Sequence, residues 1–441
     1  MVDPASIERT RQNRLADLVA YARANSPYYR QLYEGLPERI EDQAVLPVTN
    51  KASLMARFDD WATDREVTRE RVEAFLADPS SVGKKFLGKY RVATTSGVTG
   101  NRMTFVVDQR SDEIIRSTTK QMMLPMLGWL GAIKFLFQST ILHARTASVI
   151  ATGSHTAAFS RVTISDLSER RKVLSVHTPL RDLVAQLNEI RPTFLQGYAS
   201  TISMLADEEE AGRLHIRPSF VLPTSEGLTD KQYENIARAF KAKVGTMYGG
   251  TECGPPVAWS CKERWLHLNS EWAVVEPVDE NFKPAAPGTP SHTVLVSNLT
   301  NYVLPILRYD MGDSVIVRPE KCPCGNPMPA VRVVGRVADV LVFGPPEGVQ
   351  TKLTSLQLAT VVDLTPGVQL FQVVQTSPAT LRLRLRTVEG VDAGVVWQKV
   401  VGRLQELLGN SGLDWVKVER ATEPPEQAAG GKYREVIPLK P

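Results

Sequence analysis

Short β-rich runs alternate with amphipathic helical segments through the middle of this chain. Runs of apolar and β-branched residues occur at 194–196, 220–223 and 244–247. The segments between them carry apolar residues at helical spacing, and their starts are marked by Thr178-Pro179 and by a Thr229/Gln232 capping box. A chain that alternates in this way buries its strands between helices, so we predict an α/β core.

Outside this region we predict a first helix from Pro4 to near Ser26 and strands at 90–94 and 293–297. The most apolar stretch, at 122–137, is interrupted by Pro125 and by a lysine. It is therefore predicted to be a buried helix–turn–strand rather than a membrane span, which needs ~18 consecutive apolar residues.

The last hundred residues follow a different pattern. Strands are predicted at 371–375, 380–387 and 415–420, and an amphipathic helix at 392–408. The length of 441 residues exceeds what one hydrophobic core usually serves. We therefore predict a large α/β domain over residues 1–335 and a small, separate α+β domain over 336–441.

Composition excludes several classes of protein. Apolar residues make up 43% and charged residues 23%, as in ordinary globular chains, and the formal net charge is only +4. Charges of both signs are interspersed, which argues against a nucleic-acid-binding protein. The first residues lack the apolar core of a secretory signal, so we expect a cytoplasmic protein with no membrane partner.

Two loops carry groups suited to phosphate and nucleotide. The run TTSGVTGN at 94–101 follows a strand and can turn its N–H and O–H donors towards a polyphosphate, although it lacks the lysine of a nucleotide-kinase loop. The run YGGTE at 248–252 combines an aromatic ring, two glycines and a carboxylate able to hold Mg²⁺. Each run taken alone could also be a solvated turn.

Three further segments complete the set. In RYDMGD, at 308–313, the last carboxylate could accept hydrogen bonds from both ribose hydroxyls. In GRVAD, at 335–339, an arginine could reach phosphate or ribose beside a predicted hinge. The run GGKYR, at 430–434, would be read alone as a mobile basic tail.

The order of these segments, with GYAS at 197–200 between the first two, resembles the adenylate-forming superfamily. The details are most similar to the phenylacetate–CoA ligase branch, supported by SPYYR at 26–30, LPVTNK at 46–51 and CPCG at 322–325. The resemblance covers nearly the whole chain. It implies a large multi-sheet α/β domain with a small mobile α+β domain, and the use of ATP and Mg²⁺.

The resemblance also assigns roles to residues. It implies that Glu252 ligates Mg²⁺, that Arg336 contacts ribose or phosphate, and that Lys432 is the mobile catalytic lysine. The residues that it places around ATP, in chain order, are Thr95, Ser96, Gly97, Thr99, Gly100, Ser225, Glu226, Gly227, Tyr248, Gly249, Thr251, Asp313 and Arg336. Within this set the loop at 95–100 closes over the phosphates, the 225–227 segment lines adenine, Tyr248 stacks on it, and Asp313 holds the ribose. The residues that it places around the acyl group are Phe137, His143, Tyr198, Gly250 and Pro255.

The implied reaction is ATP-dependent activation of a carboxylic acid to an acyl adenylate, with transfer to CoA afterwards. Aromatic acids are favoured by the resemblance, and a homodimer is a further expectation. Ala338 stands where relatives carry the first hinge aspartate, so the second half-reaction is in question. One alternative passes the adenylate to an amine, a hydroxyl or a carrier-protein thiol in secondary metabolism; another is a non-catalytic nucleotide-binding scaffold.

The four cysteines suggest a metal site. Cys253, Cys261, Cys322 and Cys324 could together form a structural zinc site, and His267 could replace one of them. The spacing is not that of a standard zinc finger, and buried or unpaired thiols are the alternative.

Overall fold

The computed structural model describes residues 3–40, 42–95, 103–140, 145–152, 155, 159–160, 170–336, 341–345, 350–353, 355–426 and 433–439. Its α-helices are α1 (Pro4–Asn25), α2 (Pro27–Leu32), α3 (Lys51–Ala56), α4 (Phe58–Trp61), α5 (Arg69–Ala77), α6 (Gln109–Thr140), α7 (Leu180–Ile190), α8 (Ala199–Glu210), α9 (Asp230–Phe240), α10 (Ser355–Asp363) and α11 (Ala393–Asn410). Within these ranges, none of the helices combines the length and the apolar character needed to cross a membrane.

The strands fall into several sheets. In chain order they are β1 (Arg91–Thr94), β2 (Thr104–Val107), β3 (Thr146–Ile150), β4 (Arg171–Ser175), β5 (Phe194–Tyr198), β6 (Phe220–Thr224), β7 (Lys243–Val244), β8 (Met247–Tyr248), β9 (Ala258–Ser260), β10 (Leu266–Leu268), β11 (Ala273–Val278), β12 (Thr293–Asn298), β13 (Ile306–Asp310), β14 (Asp313–Val317), β15 (Ala330–Arg336), β16 (Leu341–Phe343), β17 (Thr351–Leu353), β18 (Val368–Ser377), β19 (Thr380–Thr387), β20 (Lys417–Arg420) and β21 (Val436–Ile437).

A parallel sheet of order β4-β3-β5-β6-β7 forms the predicted α/β core. Helices α7, α8 and α9 bury their apolar faces in the same cluster as the strands, with Leu187, Ile202 and Phe240 fully enclosed. Burying one such side chain is worth roughly 1.5–3 kcal/mol. The chain leaves β3 towards β4 on one side and leaves β5 towards β6 on the other, and ligands bind at the carboxyl ends of strands at such a switch point.

Two antiparallel sheets lie beside the parallel one. One has the order β11-β12-β13 and the other β14-β15-β10-β9-β8. In the second sheet the hydroxyl of Tyr248, on one edge strand, donates to Asp313 Oδ2 on the other edge at 2.9 Å. The sheet therefore curls until its two edges approach each other.

Arg308, in β13, attaches the N-terminal segment to the antiparallel core. Its Nη1 donates to the carbonyls of Ala44 and Leu46, both at 2.8 Å, and its Nε pairs with Glu276 Oε1 at 3.3 Å. The backbone of Thr49 pairs with the same strand: its N–H donates to Arg308 O at 3.0 Å, and its carbonyl accepts from Asp310 N at 2.9 Å. Both charged side chains are almost fully buried.

The C-terminal residues have a core of their own. Strands β18 and β19 pair in antiparallel register, with β21 and β20 added in parallel at the two edges. Strand β19 is the strand predicted at 380–387, and its side chains alternate: Leu381 and Leu383 are buried, while Arg382 and Arg384 pair with Glu423. This cluster draws its buried residues from 341–436 alone, which favours the predicted division at 335/336, although the boundary stays a prediction.

These C-terminal residues pack against helix α9. Gln232 Nε2 donates to Glu435 Oε1 at 3.0 Å, and Thr229 Oγ1 donates to Asp363 Oδ2 at 2.7 Å. Burial, together with the carboxylates of Asp363 and Glu226, raises the pKa of Glu435 from 4.5 to about 7, and the hydrogen bond from Gln232 opposes the shift.

One predicted strand is wrong. The run at 244–247 is divided, because Val244 ends β7 in the parallel sheet and Met247 begins β8 in the antiparallel sheet. The chain changes sheets at Gly245, where a side chain would overlap Phe220 and Met126. A continuous apolar run does not reveal such a crossing.

The prediction for 122–137 is half right. Helix α6 is interrupted at Gly128, whose φ of 67° lies in the left-handed region, and Lys243 Nζ donates to the Leu127 carbonyl at 2.5 Å. Beyond Gly128 the chain resumes as helix, so the predicted strand is absent and Phe137 lies in α6. Because glycine allows the break at little steric cost and Lys243 satisfies a carbonyl beside it, no change of secondary structure is required.

Replacing Arg308 by alanine is expected to lower the unfolding free energy by about 3–5 kcal/mol, because the buried Glu276 carboxylate would lose its charged partner. Urea titration followed by tryptophan fluorescence measures the loss. The exposed Arg65, changed to alanine, is the control and should remain within about 0.5 kcal/mol of the unaltered protein. A loss below 1 kcal/mol for Arg308→Ala would contradict this account.

Stability should also fall as pH rises through the titration range of Glu435. Its pKa is raised from 4.5 to about 7 on folding, so the folded chain keeps a proton that the unfolded chain releases between these values. The cost is absent below 4.5 and complete above 7, where it reaches about 3 kcal/mol. Melting temperatures of Glu435→Gln should therefore depend less on pH than those of the unaltered protein. The exposed Glu406, changed to glutamine, should leave the pH dependence as it was; equal profiles for all three proteins would refute the effect.

Candidate active site

Tyr248, Asp313 and Arg336 converge at the closed edge of the antiparallel sheet. Asp313 accepts from the Tyr248 hydroxyl at 2.9 Å through Oδ2, and its Oδ1 lies 3.3 Å from Arg336 Nε. Burial, with the nearby Asp313 carboxylate, raises the pKa of Tyr248 well above its ordinary value, so the hydroxyl remains a donor. Asp313 is buried, whereas more than half of the Arg336 side chain is exposed. The structure thus unites three residues from three separate motifs.

Glu252 lies in the turn that follows β8, and both Glu252 and Arg336 lie near the Lys51 side chain. The Lys51 amine at the start of α3 is influenced by both: burial lowers its pKa, Glu252 raises it, and Arg336 lowers it, with a net lowering. Lys51 therefore lies near both side chains, although no role for it was predicted from the sequence. The only signal was its place at the end of the LPVTNK match.

The glycines before Glu252 decide where its carboxylate can lie. Gly249 has a φ of 154°, with the backbone of Pro256 and Val257 3.3 Å from where a Cβ would stand. At Gly250 a Cβ would lie 2.6–2.7 Å from the Glu252 carboxylate. The space beside Gly250 therefore holds this carboxylate, and the acyl-pocket role of Gly250 stays a prediction.

The predicted phosphate loop begins at a hairpin. Thr95 closes the β1–β2 hairpin, since its N–H donates to Met103 O at 2.9 Å and its Oγ1 accepts from Met103 N at 3.0 Å. Thr251 lines a small cavity of about 10 Å³ beside Arg91 and Asn298, large enough for one water. The other members of the predicted loop (Ser96, Gly97, Thr99 and Gly100) lie outside the described residues, as do His143 and Lys432.

The switch point of the parallel sheet carries the next group. The buried Tyr198 hydroxyl is hydrogen-bonded to the backbone of Ala151, which spans the crevice between β5 and β3. Ser225 follows β6 with a φ of 68°, and Gly227 faces open space. Pro255 is buried beneath the turn that carries Gly249. For Phe137 only the helical backbone is described.

Glu226 does not point its carboxylate towards the solvent. Oε2 accepts from the N–H of Ser200 at 2.8 Å, and Oε1 accepts from the N–H of Tyr433 at 2.6 Å. The segment predicted to line adenine is therefore also in contact with the C-terminal residues next to Lys432.

A second cluster contains Cys261, His267, Cys322 and Cys324, whose ligand atoms lie within 4.8 Å of one another. His267 Nδ1 lies 2.9 Å from the Met328 carbonyl, which leaves Nε2 facing Cys324 Sγ at 3.2 Å. Metal-binding histidines commonly donate their second nitrogen to a carbonyl in this way. Three sulfurs and one imidazole nitrogen suit zinc.

The inclusion of Cys253 in this cluster is wrong. Its thiol is fully buried beneath the Glu252 turn, 3.3 Å from the N–H of Gly250 and 3.8 Å from Met311 Sδ. It packs in the core instead, and His267, the predicted substitute, takes the fourth place because β10 pairs with the start of β15 beside the 322–324 turn.

Comparison with known proteins gave sequence relatives but no matching family model. Protein CapK of Staphylococcus aureus is 28% identical over 169 residues, which are 37% of this chain and only 35% of CapK. Phenylacetate-coenzyme A ligase of Thermus thermophilus is 24% identical over 360 residues, which are 79% of this chain and 74% of that protein.

Solved structures give a longer match. A 2-hydroxyisobutyryl-CoA ligase with 2-HIB-AMP, in the postadenylation state, superposes with a TM-score of 0.73 at 18% identity, covering 100% of this chain and 91% of that one. The same ligase with 2-HIB-AMP and CoA, in the thioesterification state, gives 0.58 at 19% identity, covering 99% and 90%. The chain therefore has the fold of these CoA ligases, and fold and sequence together confirm its resemblance to the adenylate-forming superfamily and to the phenylacetate–CoA ligase branch within it.

Proposed function

We propose that this protein uses ATP to convert a carboxylic acid into its acyl adenylate, releasing pyrophosphate, and then transfers the acyl group to CoA. The observation that carries the proposal is the convergence of Tyr248, Asp313 and Arg336 beside Glu252. A buried carboxylate, a phenol and a guanidinium at one sheet edge are suited to a nucleoside phosphate.

In the first half-reaction a carboxylate oxygen attacks the α-phosphorus of ATP, and the bond to pyrophosphate breaks. The protein must hold the reactants in line and neutralise the developing negative charge. Asp313 would orient the ribose, while Arg336 and Lys51 would supply positive charge near the phosphates. Lys432 would approach from the C-terminal segment, as the family resemblance implies.

Glu252 is the residue that would hold Mg²⁺. Its partly exposed carboxylate, among the cationic groups Lys51 and Arg336, is an oxygen ligand of the kind that this ion prefers. Mg²⁺ would supply positive charge beside the phosphates. The acid itself is proposed to be aromatic, because phenylacetate is the acid in the name of the curated relative with the longer match.

A second candidate keeps the adenylate but changes its acceptor to an amine, a hydroxyl or a carrier-protein thiol. Ala338 favours it, because this residue replaces the hinge aspartate expected in relatives that transfer to CoA. An amide bond synthetase from Marinactinospora thermotolerans has the same fold, with a TM-score of 0.53 at 14% identity over 78% of this chain and 67% of that one.

Replacing Lys432 by alanine should lower acid-dependent exchange of labelled pyrophosphate into ATP by ~10²–10³, the usual loss for one charge-stabilising group. The protein should fold normally. Lys399, exposed on α11, is the matched control, and its alanine variant should exchange at the unaltered rate. Near-normal exchange by Lys432→Ala would remove this lysine from the mechanism.

The acceptor is tested with the unaltered protein, ATP and a panel of aromatic acids. AMP release that requires CoA supports the ligase, and release that requires an amine supports the second candidate. No pyrophosphate exchange and no AMP release with any acid or acceptor would support a nucleotide-binding scaffold instead.

We also propose that Cys261, His267, Cys322 and Cys324 bind a structural zinc ion. The four donors come from the β9–β10 region and from the turn before β15. A metal there would tie this turn to β10, and thus support the strand that ends in Arg336. A site with four protein ligands leaves no open position for substrate, so its role would be structural.

Elemental analysis of the purified protein is expected to find one zinc per chain. Cys324→Ser should lose the metal and melt at a lower temperature, because such a site can contribute ~10–16 kcal/mol of apparent binding energy. Cys253→Ser should retain the metal, since its thiol lies outside the cluster. Zinc-free protein, or equal loss of zinc from both variants, would rule out this ligand set.

A further inference from the structure

We propose that Glu226 is a positioning residue, which holds the lysine-bearing C-terminal segment in register with the ATP site during adenylation. The inference rests on the proposed function and goes beyond it. It assigns to Glu226 a mechanical role between two parts of the chain, in addition to the predicted contact of its segment with adenine.

On one side Glu226 is fixed to the parallel sheet. Strands β5 and β6 are neighbours, with Tyr198 paired to Thr224, so the residues that follow them meet at the same edge. The left-handed backbone of Ser225 turns Glu226 back towards the first turn of α8. There Oε2 accepts from Ser200 N at 2.8 Å. Tyr198, the N-cap of α8, makes no side-chain cap bond, so Glu226 supplies the cap from a distant segment.

On the other side Glu226 holds a single peptide group. Oε1 accepts from Tyr433 N at 2.6 Å, and this nitrogen belongs to the bond that joins Lys432 to Tyr433. The Tyr433 ring is buried, and its hydroxyl donates to the Phe371 carbonyl in β18. The residue after Lys432 is thus held by its ring in the C-terminal core and by its N–H at the large parallel sheet.

The negative charge of Glu226 is required by this geometry. Two N–H donors approach one side chain, and a carboxylate can accept from both. A glutamine of the same size has one acceptor oxygen and would direct an NH₂ group at the second donor. The isosteric change therefore removes one bond and adds a donor–donor contact, while the volume stays the same.

The contact belongs to one arrangement of the chain. The structure superposes with a TM-score of 0.73 on the ligase in its postadenylation state and 0.58 on the same ligase in its thioesterification state. Since the Glu226–Tyr433 bond spans the two parts of the chain, a relative rotation of those parts would break it. Glu226 should therefore act on adenylation and not on acyl transfer.

The experiment compares Glu226→Gln with Asp363→Ala in the full-length protein. Asp363 also bonds across the two parts, through Thr229 Oγ1 at 2.7 Å, but lies in α10 rather than in the segment of Lys432. Acid-dependent pyrophosphate exchange gives kcat and the KM for ATP. Hydrogen exchange at the Tyr433 amide, measured by mass spectrometry on small overlapping fragments, reports the bond itself.

Glu226→Gln is expected to lower kcat for exchange by about 10- to 100-fold, the range for loss of a charge-assisted hydrogen bond, with the KM for ATP nearly unchanged. Its Tyr433 amide should exchange faster than in the unaltered protein. Asp363→Ala should lower kcat by no more than about fivefold. Equal losses in the two variants would mean general docking rather than positioning, and would overturn the proposal, as would an unchanged kcat in Glu226→Gln.

The amide measurement separates this proposal from the proposed function. If the unaltered protein exchanges no pyrophosphate with any acid, the proposed function fails, whereas slow exchange at Tyr433 would still support the Glu226 contact. If the unaltered protein is active but its Tyr433 amide exchanges as fast as an unprotected one with ATP and acid bound, the positioning role is refuted. This second measurement uses only the unaltered protein, so it does not depend on whether a variant folds.

Discussion

The guanidinium of Arg308 is the contact on which the site depends most. It is buried, donates to backbone carbonyls of the N-terminal segment and forms an ion pair with the carboxylate of Glu276. Leaving such a charge without its acceptors is costly, so the segment before α3 has one place to lie. That placement brings Lys51 into range of Glu252. Five residues beyond Arg308 the chain reaches Asp313, so one short stretch sets both the cationic and the anionic sides of the candidate site.

Much of the fold was predictable because its signals are local. The capping box at Thr229, the helix start at Asp3-Pro4 and the leucine–arginine alternation of β19 each specify an element without reference to the rest of the chain. The errors occur where the local structure depends on a contact with a residue distant in sequence. The chain changes sheets at Gly245, where Phe220 and Met126 leave no room for a side chain, and α6 continues past Gly128, where Lys243 donates to a carbonyl. None of these three partners is near in sequence to the glycine beside which it lies.

The residues of the candidate site were easier to predict from the sequence than the contacts between them. Tyr248, Asp313 and Arg336 could be chosen from the order of the motifs, but their convergence requires the sheet to close between β8 and β14. The cysteines show a case in which the members of a cluster could not be predicted from sequence spacing. Spacing could not tell that Cys253 points into the core while His267 faces Cys324, because this depends on the register of β10 against β15. The double contact of Glu226 could not be foreseen either, since its two donors lie in segments far apart in the chain.

Because Glu435 is buried, movement of the C-terminal residues is coupled to the release and uptake of protons. While it is enclosed against α9 its pKa is about 7, so at neutral pH it holds roughly half a proton. In water the same carboxyl would be almost fully ionised. A rearrangement that exposes Glu435 must therefore release that fraction into the medium, and the return step must take it up again. The heat of each opening and closing would then vary with the ionisation enthalpy of the buffer. Calorimetry in several buffers could therefore measure how many protons the rearrangement releases or takes up.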